Sequence, residues 1–243
     1  MKKIISLLAI VLMLLIATQT RAQITFGGKV GLNIANMSMG TLPSGQTMGS
    51  VTSFNLGGLM QYNFSGDMYL EAGLGLSGKG TNMGFVNTNT FGGITTSTVG
   101  TVKVTPLYLE IPINFLYKVD LNGAKLELFA GPYLAFGIGG SVTQHSVTSI
   151  TGFQDQIQDT THSINYGSDS TTADMKGFDF GLNFGAGIEY ENFFLKLQYG
   201  LGLVNLSTSA VEASSLKNGV IGISVGYLFG EGGGGKKHKR RRH

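Results

Sequence analysis

The chain has 243 residues, of which 13% are charged and 38 are glycine, and it contains no cysteine. Charged residues are about half as frequent, and glycine about twice as frequent, as in soluble globular proteins. The lack of cysteine predicts a protein without disulfides, thiolate metal sites or a lipid-modified cysteine.

The first 22 residues have the pattern of a secretory signal peptide. Lys2 and Lys3 form a basic start, an apolar stretch covers 4–17, and small residues precede a cleavage position after Ala22. The apolar stretch is shorter than the about 20 residues that a transmembrane helix needs. We therefore predict a mature chain that begins at Gln23 and leaves the cytoplasm.

The basic residues of the mature chain are concentrated in its tail. Six of them lie in the last eight residues, KKHKRRRH, whereas residues 23–230 hold 8 basic and 13 acidic side chains. The body is therefore slightly acidic, and the sequence predicts no nucleic-acid partner.

Eight stretches of the body alternate between apolar and polar residues, which is the pattern of strands covered on one face. After the signal peptide, no apolar stretch is long enough for a transmembrane helix. Near Pro106 the alternation shifts phase, which predicts a bulge or a break in the hydrogen-bond ladder. In chain order the predicted strands are 23–36, 51–64, 68–79, 101–118, 124–139, 177–190, 193–205 and 218–229.

The connections between these strands alternate in length. Short turns lie at 65–67, 120–123 and 191–192, and long loops lie at about 37–50, 81–100, 141–174 and 206–217. This arrangement, with an even strand number, is typical of outer-membrane barrels. We predict an all-β fold: an eight-stranded antiparallel up-and-down transmembrane β-barrel over 23–230, in a bacterial outer membrane. Its short turns and both mature ends are expected in the periplasm, and its long loops outside the cell.

The uncharged face of the strands carries aromatic residues at one level. In a barrel this face contacts outer-membrane lipid, and aromatic rings are typical of the boundary between hydrocarbon and water. The predicted ring at the short-turn end consists of Phe26, Tyr62, Phe64, Tyr117, Tyr190, Phe193, Tyr227 and Phe229.

The polar face of the strands is expected to line the barrel interior. A basic residue at the lipid midplane costs roughly 2–4 kcal/mol, so strand charges should point inward, where eight strands leave room for side chains alone. Such a barrel should show no conductance of porin size. The predicted internal ion-pair network consists of Lys29, Glu71, Glu110, Lys118, Lys125, Glu127, Asp179, Glu189 and Lys196.

The predicted loop 141–174 is the most distinctive exposed segment, with four aspartates and no lysine or arginine. It is interpreted either as a solvated surface loop or as a docking surface for a partner or ligand. His145 and His162 lie in it among serines and aspartates, but nothing in the sequence fixes a base beside a nucleophile. We therefore predict no enzymatic activity, no cofactor and no metal site.

Residues 231–243 form a glycine-rich tether followed by a basic run. Three interpretations stay open: a solvated tail, contact with an anionic surface such as peptidoglycan or phospholipid, and docking to a periplasmic protein. The candidate contact residues are Lys236, Lys237, Lys239, Arg240, Arg241 and Arg242.

Four segments carry a resemblance to a known family: GGKVGLNIANM, PLYLEIPINFLYK, GPYLAFGIGG and GISVGYLF. Together they resemble the PorT-like outer-membrane β-barrel family of Bacteroidetes, over nearly all of 23–230. This resemblance implies an eight-stranded barrel without a catalytic site, and its founding member takes part in type IX protein secretion. The basic tail departs from the usual ending of the family.

The sequence therefore predicts a small outer-membrane barrel with a structural or interaction role. Our first hypothesis is a subunit or accessory of an envelope assembly of the secretion or transport type, with protein partners in that complex. The alternative is a solitary OmpX-like or OmpA-like surface barrel that acts through its extracellular loops in adhesion or defence. A barrel enzyme is the third hypothesis.

Overall fold

In the computed structural model of the chain, residues 24–40, 42–208 and 215–229 are described. The predicted signal peptide, 1–22, and the predicted tail, 231–243, lie outside these residues. Strands dominate the described part of the chain. In chain order they are β1 (Ile24–Met39), β2 (Gln46–Gly49), β3 (Val51–Ser65), β4 (Met68–Gly78), β5 (Thr81–Phe91), β6 (Ile94–Asp120), β7 (Ala124–Ile150), β8 (Gln156–Ser163), β9 (Phe178–Tyr190), β10 (Phe193–Gly202) and β11 (Leu216–Phe229).

Eight of these strands close into a ring in which every neighbour is antiparallel. The order around the ring is β1, β3, β4, β6, β7, β9, β10 and β11, and β11 pairs again with β1. Each ring strand therefore lies beside the ring strands that precede and follow it in the chain. This is the predicted up-and-down barrel, and closure leaves no sheet edge within the ring.

Tight turns join the ring strands at one end, called here the short-turn end. Between β6 and β7, Asn122 and Gly123 both have positive φ, 60° and 122°. The Asp120 side chain accepts the N–H of Asn122 at 2.9 Å, which is an Asx turn. Glu191, between β9 and β10, also has positive φ.

The outer wall of the ring is apolar, as predicted. All eight aromatic residues of the predicted ring are exposed, by 38% to 62%. The register places Phe26 opposite Phe229, and Phe193 opposite both Tyr190 and Tyr227, all at the short-turn end. An apolar band bordered by aromatic side chains is the lipid-facing surface of an outer-membrane barrel.

The predicted irregularity near Pro106 is confirmed. The register between β6 and β7 shifts between Leu107 and Tyr108, which leaves Ile138 of β7 as the extra residue of a bulge. Gly140, beside the bulge, has a φ of +130°, and a Cβ there would lie 2.4 Å from the Thr105 carbonyl oxygen. The bulge therefore needs glycine at this position.

Two of the predicted long loops are wrong, because both are largely strand. Residues 81–91 form β5 and residues 94–100 begin β6, while residues 141–150 end β7 and residues 156–163 form β8. Here threonine, serine and asparagine occupy both faces of the strands, so the apolar alternation that predicted the other strands is absent. Cross-strand hydroxyl pairs join these strands, such as Thr98 with Thr148 at 3.1 Å.

These strands continue the ring as a second, open sheet, called here the projecting sheet. It consists of β2, β5, residues 94–105 of β6, residues 140–150 of β7, and β8, hydrogen-bonded in that order. It stands at the end of the barrel opposite the short turns. Its two outer strands, β2 and β8, are sheet edges.

In the described part of the chain there is no helix long and apolar enough to cross a membrane.

Candidate functional site

The barrel interior holds a chain of ion pairs near the short-turn end. Lys196 Nζ lies 2.5 Å from Glu71 and 3.2 Å from Glu127, and Lys118 Nζ lies 2.8 Å from Glu127. Lys118 also pairs with Glu189, which Lys125 contacts at 3.3 Å. All but Lys125 are nearly shut off from solvent. Each carboxylate contacts at least one ammonium group, which offsets the cost of burying the charges.

A second cluster lies nearer the projecting sheet and is centred on Lys79. Its ammonium group contacts Glu110 and Asp179, each at 3.1 Å. The Tyr133 hydroxyl and the Asn218 side-chain amide also donate to Asp179, at 3.0 and 2.8 Å. Asp179 is thus held by three donors at full burial.

Lys79 is a residue of this interior that the sequence prediction left out. It follows the inward positions Glu71, Gly73, Gly75 and Ser77 at the same spacing of two, one residue after the end of β4. The alternation of β4 could have identified it. With Lys79 the interior holds five lysines against five carboxylates.

Lys29 behaves differently from the other predicted interior charges. It lines a cavity of about 40 Å³ together with Glu71, Glu110 and Asn183, which is enough space for a few water molecules. Among the described residues it makes no ion pair within 4 Å. Lys29 therefore faces Glu71 and Glu110 across this cavity without a direct ion pair to either.

The mouth of the barrel beneath the projecting sheet is covered by an apolar cluster. Met37, Ile164, Met175 and Leu206 form its centre, and Val104 and Val142 of the projecting sheet pack against it. This cluster lies across the end of the polar interior. The packing favours the predicted lack of porin-size conductance, which stays a prediction.

The predicted acidic loop is built into the projecting sheet and the segment after it. Every residue of β8 is exposed, and in the described chain β8 pairs with β7 alone. His145 of β7 contacts Asp159 of β8 at 2.6 Å, and His162 contacts Asp174 at 3.2 Å. These two pairs fasten β8 to β7 and to the segment that follows it.

Hydrogen bonds set the ionisation of two aspartates in that segment. Partial burial opposes ionisation of Asp174, but the backbone N–H of Asn165 and the ring of His162 donate to it and hold its pKa below the ordinary value. The backbone N–H and hydroxyl of Thr171 donate to Asp169 and likewise lower its pKa. Both carboxylates are therefore charged at neutral pH.

His145 and the serine beside it do not lie on the same face of the sheet. Ser146 follows His145 directly in β7, so the two side chains point to opposite faces of the sheet. Within the described ranges, no three histidine, aspartate or glutamate side chains are grouped so that they could hold a metal ion. The prediction of a non-enzymatic protein without cofactor stays a prediction.

A closed ring of eight antiparallel strands, with an apolar outer band and a charged interior, defines a small outer-membrane β-barrel. The chain belongs to the family described as outer membrane protein beta-barrel domain, whose model matches residues 17–208. No curated protein matches the chain.

Several solved barrels are similar to the chain at low identity. Ail, the attachment invasion locus protein of Yersinia pestis, is 14% identical, with 86% of this chain and 100% of Ail covered and a TM-score of 0.37. Neisserial surface protein A is 14% identical, with 83% and 96% covered and a TM-score of 0.33. The N-terminal β-barrel domain of Pseudomonas aeruginosa OprF is 16% identical, with 83% and 99% covered and a TM-score of 0.25.

Proposed function

We propose that this protein is a surface barrel that holds the projecting sheet outside the cell and binds an extended polypeptide at the edge of β8. The surface role is that of the alternative hypothesis, a barrel that acts through its extracellular loops in adhesion or defence, and binding at the edge of β8 is added to it here. The observation that carries it is the projecting sheet itself. Strands β6 and β7 have 27 residues each, whereas about 9–11 residues suffice for a tilted strand to cross a membrane.

The edge of β8 is suited to strand addition. A sheet edge presents unpaired N–H and C=O groups to any chain that can lie beside it, and natural proteins usually protect such edges with proline, lysine or bulges. β8 contains none of these along its eight residues, QIQDTTHS. A bound segment would supply main-chain hydrogen bonds for affinity and alternate side chains for specificity.

The side chains of β8 define the chemistry of such a segment. Ile157 is 67% exposed, so the residue opposite it should be apolar. The Asp159 side chain is 71% exposed, so its opposite residue should be basic. We therefore expect a segment in which an apolar and a basic residue are separated by one position.

The first test concerns orientation. Single cysteines at Thr90, at the tip of the projecting sheet, and at Asn122, in a short turn, would be labelled on intact cells with a membrane-impermeant maleimide. The chain has no other cysteine. We expect Thr90→Cys to react on intact cells and Asn122→Cys only after lysis; the reverse result would overturn the proposal.

The second test concerns binding. A random twelve-residue peptide library would be panned against the purified barrel, with Ile157→Asp plus Asp159→Lys as the matched control. Retained peptides should carry the apolar and basic pattern, and the control should lose them while keeping the heat-modifiable mobility of a folded barrel. Equal retention by both proteins, or no retention by either, would contradict the proposal.

The assembly hypothesis is the second candidate function, and the resemblance of the four quoted segments to the PorT-like family supports it. It predicts a stoichiometric protein partner after purification from native outer membranes in mild detergent. Loss of that partner on deletion of 231–243 would place the contact at the tail, whose residues Lys236 to Arg242 lie outside the described chain. If neither the full chain nor the chain without 231–243 purifies with a stoichiometric partner, this hypothesis is wrong.

A further inference from the structure

One row of apolar side chains crosses the outer face of the projecting sheet. Val86 of β5 is paired with Val99 of β6, Val99 with Val147 of β7, and Val147 with Ile157 of β8. Cross-strand partners point to the same face, so the four side chains lie side by side. Three of them are exposed by more than half: Val86 by 52%, Val99 by 51% and Ile157 by 67%.

The row lies on the same side of β6 as the lipid-facing residues. Val99 and Leu107 are separated by eight positions, an even number, so both point outward. The opposite face turns inward, because Val104 and Val142 pack on the apolar cluster over the barrel mouth. The row is therefore on the outside of the molecule.

Membrane lipid does not account for this row. Lys103 lies between Val99 and the lipid-facing band on β6, and the exposed pair of His145 and Asp159 lies one row below Val147 and Ile157. Hydrocarbon excludes such charged and ionisable groups. At about 3.3 Å per residue, Val99 lies roughly 26 Å along the strand beyond Leu107. The row is therefore in the aqueous layer, where exposed apolar patches mark contact sites.

We propose that the row is the upper part of an interface between two copies of this protein in the same membrane. The interface would be two-fold symmetric, with its axis along the membrane normal. Two copies inserted in one membrane carry the row at the same height. A two-fold rotation reverses its order, so that Val86 faces Ile157 of the second copy and Val99 faces Val147.

The contact area selects a second copy over a soluble partner. The outer face from Ser97 to Thr105, across four strands about 4.8 Å apart, offers roughly 500 Å². A stable interface needs about 800 Å² per partner. A second barrel can also pack against the apolar wall directly below, from Leu107 to Tyr117 of the same strand, where the gain is van der Waals packing because lipid is as apolar as the wall. A soluble protein cannot enter the lipid to reach this surface.

The membrane also lowers the entropic cost of this association. Both copies are already confined to two dimensions and share one orientation, so less translational and rotational freedom is lost than in solution. A membrane-bound pair therefore needs less contact energy than a pair that meets in solution. The main-chain edge of β8, which the proposed function uses, points sideways and is not required for this interface. The Ile157 side chain takes part in both contacts, so substitutions at Val99 and Val147, which lie outside β8, distinguish them.

Paired cysteines test the interface, since the chain has no native cysteine. Outer membranes that contain a mixture of Val86→Cys and Ile157→Cys chains would be treated with a bis-maleimide that spans about 10 Å, the spacing of stacked sheets. The control mixture is Asn87→Cys with Gln156→Cys, because these exposed residues lie on the other face of the sheet and at the same height as each other through Thr98 and Thr148. A monofunctional maleimide would verify equal reactivity.

We expect a covalent dimer of twice the chain mass from the first mixture, at least five times more abundant than from the control. Equal yields from the two mixtures would mean that the chains meet only by random collision, which would overturn the proposal. A cross-linked product that contains a different protein would also overturn it. A second variant, Val99→Asp with Val147→Asp, should abolish the dimer while the heat-modifiable folded form persists. Peptide binding at β8 is measured separately, so failure of either proposal is distinguishable from failure of the other.

Discussion

The two halves of β6 are built on one continuous backbone and differ in what surrounds them. From Leu107 to Tyr117 every outward side chain is apolar and the inward positions include Glu110 and Asn114. From Ile94 to Thr105, serine and threonine occur on both faces. Lipid imposes a strict alternation on the first half, because a polar group there would lose its hydrogen bonds. Water imposes none on the second half, where cross-strand pairs hold the sheet.

The largest loss of stability should come from changing a buried charge of the barrel interior, because the projecting sheet has no such buried charges among the described residues. Lys79→Met leaves Glu110 and Asp179 together without their shared ammonium group. Removing one partner of a buried ion pair costs about 3–5 kcal/mol. Urea unfolding of the protein in lipid vesicles would measure this loss.

The control for this prediction is Lys103→Met on the exposed outer face of the projecting sheet, which should change stability by less than about 0.5 kcal/mol. Adding Glu110→Gln and Asp179→Asn to Lys79→Met should restore part of the loss, because no unpaired charge then remains. Equal effects of Lys79→Met and Lys103→Met would show that the interior cluster does not stabilise the barrel.

A basic residue on the outer face should have different effects on stability in the two halves of β6. Ile113→Arg places a charge in the middle of the lipid-facing band and should cost roughly 2–4 kcal/mol. Val99→Arg is the same change, on the same face of the same strand, above the lipid. In vesicles that hold at most one copy, so that no second copy can cover Val99, we expect it to leave the free energy of unfolding within about 0.5 kcal/mol of the original protein. A large loss from Val99→Arg would mean that lipid reaches the projecting sheet.

The same contrast explains which parts of the structure could be predicted from the sequence. The eight ring strands and the aromatic ring at the short-turn end were predicted because lipid makes their alternation visible in residues such as Leu126, Leu128 and Ala130. The strands β5 and β8 were not, because their stability comes from register and hydroxyl pairs rather than from an apolar face. β8, with the sequence QIQDTTHS, has only one apolar residue.

The interior could be predicted in its composition but not in its pairing. Alternation shows that Glu71, Glu127 and Lys196 point inward. That Lys196 bridges the two carboxylates depends on the stagger between strands far apart in the chain, which no single stretch of sequence contains. Lys79 was missed because it lies just beyond the last residue of β4, at a position expected to be a strand end.

The barrel interior should also tolerate an added methyl group less well than the wall near the bulge does. Gly181 of β9 lies beneath the ring of Tyr133, and a Cβ there would be 2.6 Å from that ring and 2.1 Å from the Leu201 carbonyl oxygen. We expect Gly181→Ala to cost about 1–3 kcal/mol through overpacking and to disturb the Tyr133 contact with Asp179. Urea unfolding in vesicles would measure it.

The matched control is Gly139→Ala. A Cβ at Gly139 would meet no atom within 4 Å, and its φ is not in the left-handed region. This substitution should be nearly neutral. If both glycines tolerate alanine equally, the interior is less tightly packed at Tyr133 than its contacts indicate.

The smallest effect should come from the segment after β8, where the groups are mostly exposed. Asp174 has a folded-state pKa below its ordinary value of 3.8. A lowered pKa means that its charge stabilises the segment above pH 3.8, and that this contribution is lost as the pH falls through the folded-state value. Asp174→Asn should therefore speed hydrogen exchange at the Asn165 amide, which donates to Asp174 at 2.8 Å. Because water still reaches this side chain and screens its charge, the change should stay below about 1 kcal/mol.

The pH dependence makes this prediction specific to the carboxylate. The difference in Asn165 exchange between the original protein and Asp174→Asn should be full at pH 5 and should shrink steadily below pH 3.8. Asp169→Asn is the matched control, because Asp169 accepts from the backbone of Thr171 rather than from Asn165. It should speed exchange at Thr171 alone. A difference at Asn165 that persists unchanged far below pH 3.8 would mean that the shape of the aspartate side chain, and not its charge, holds the segment against β8.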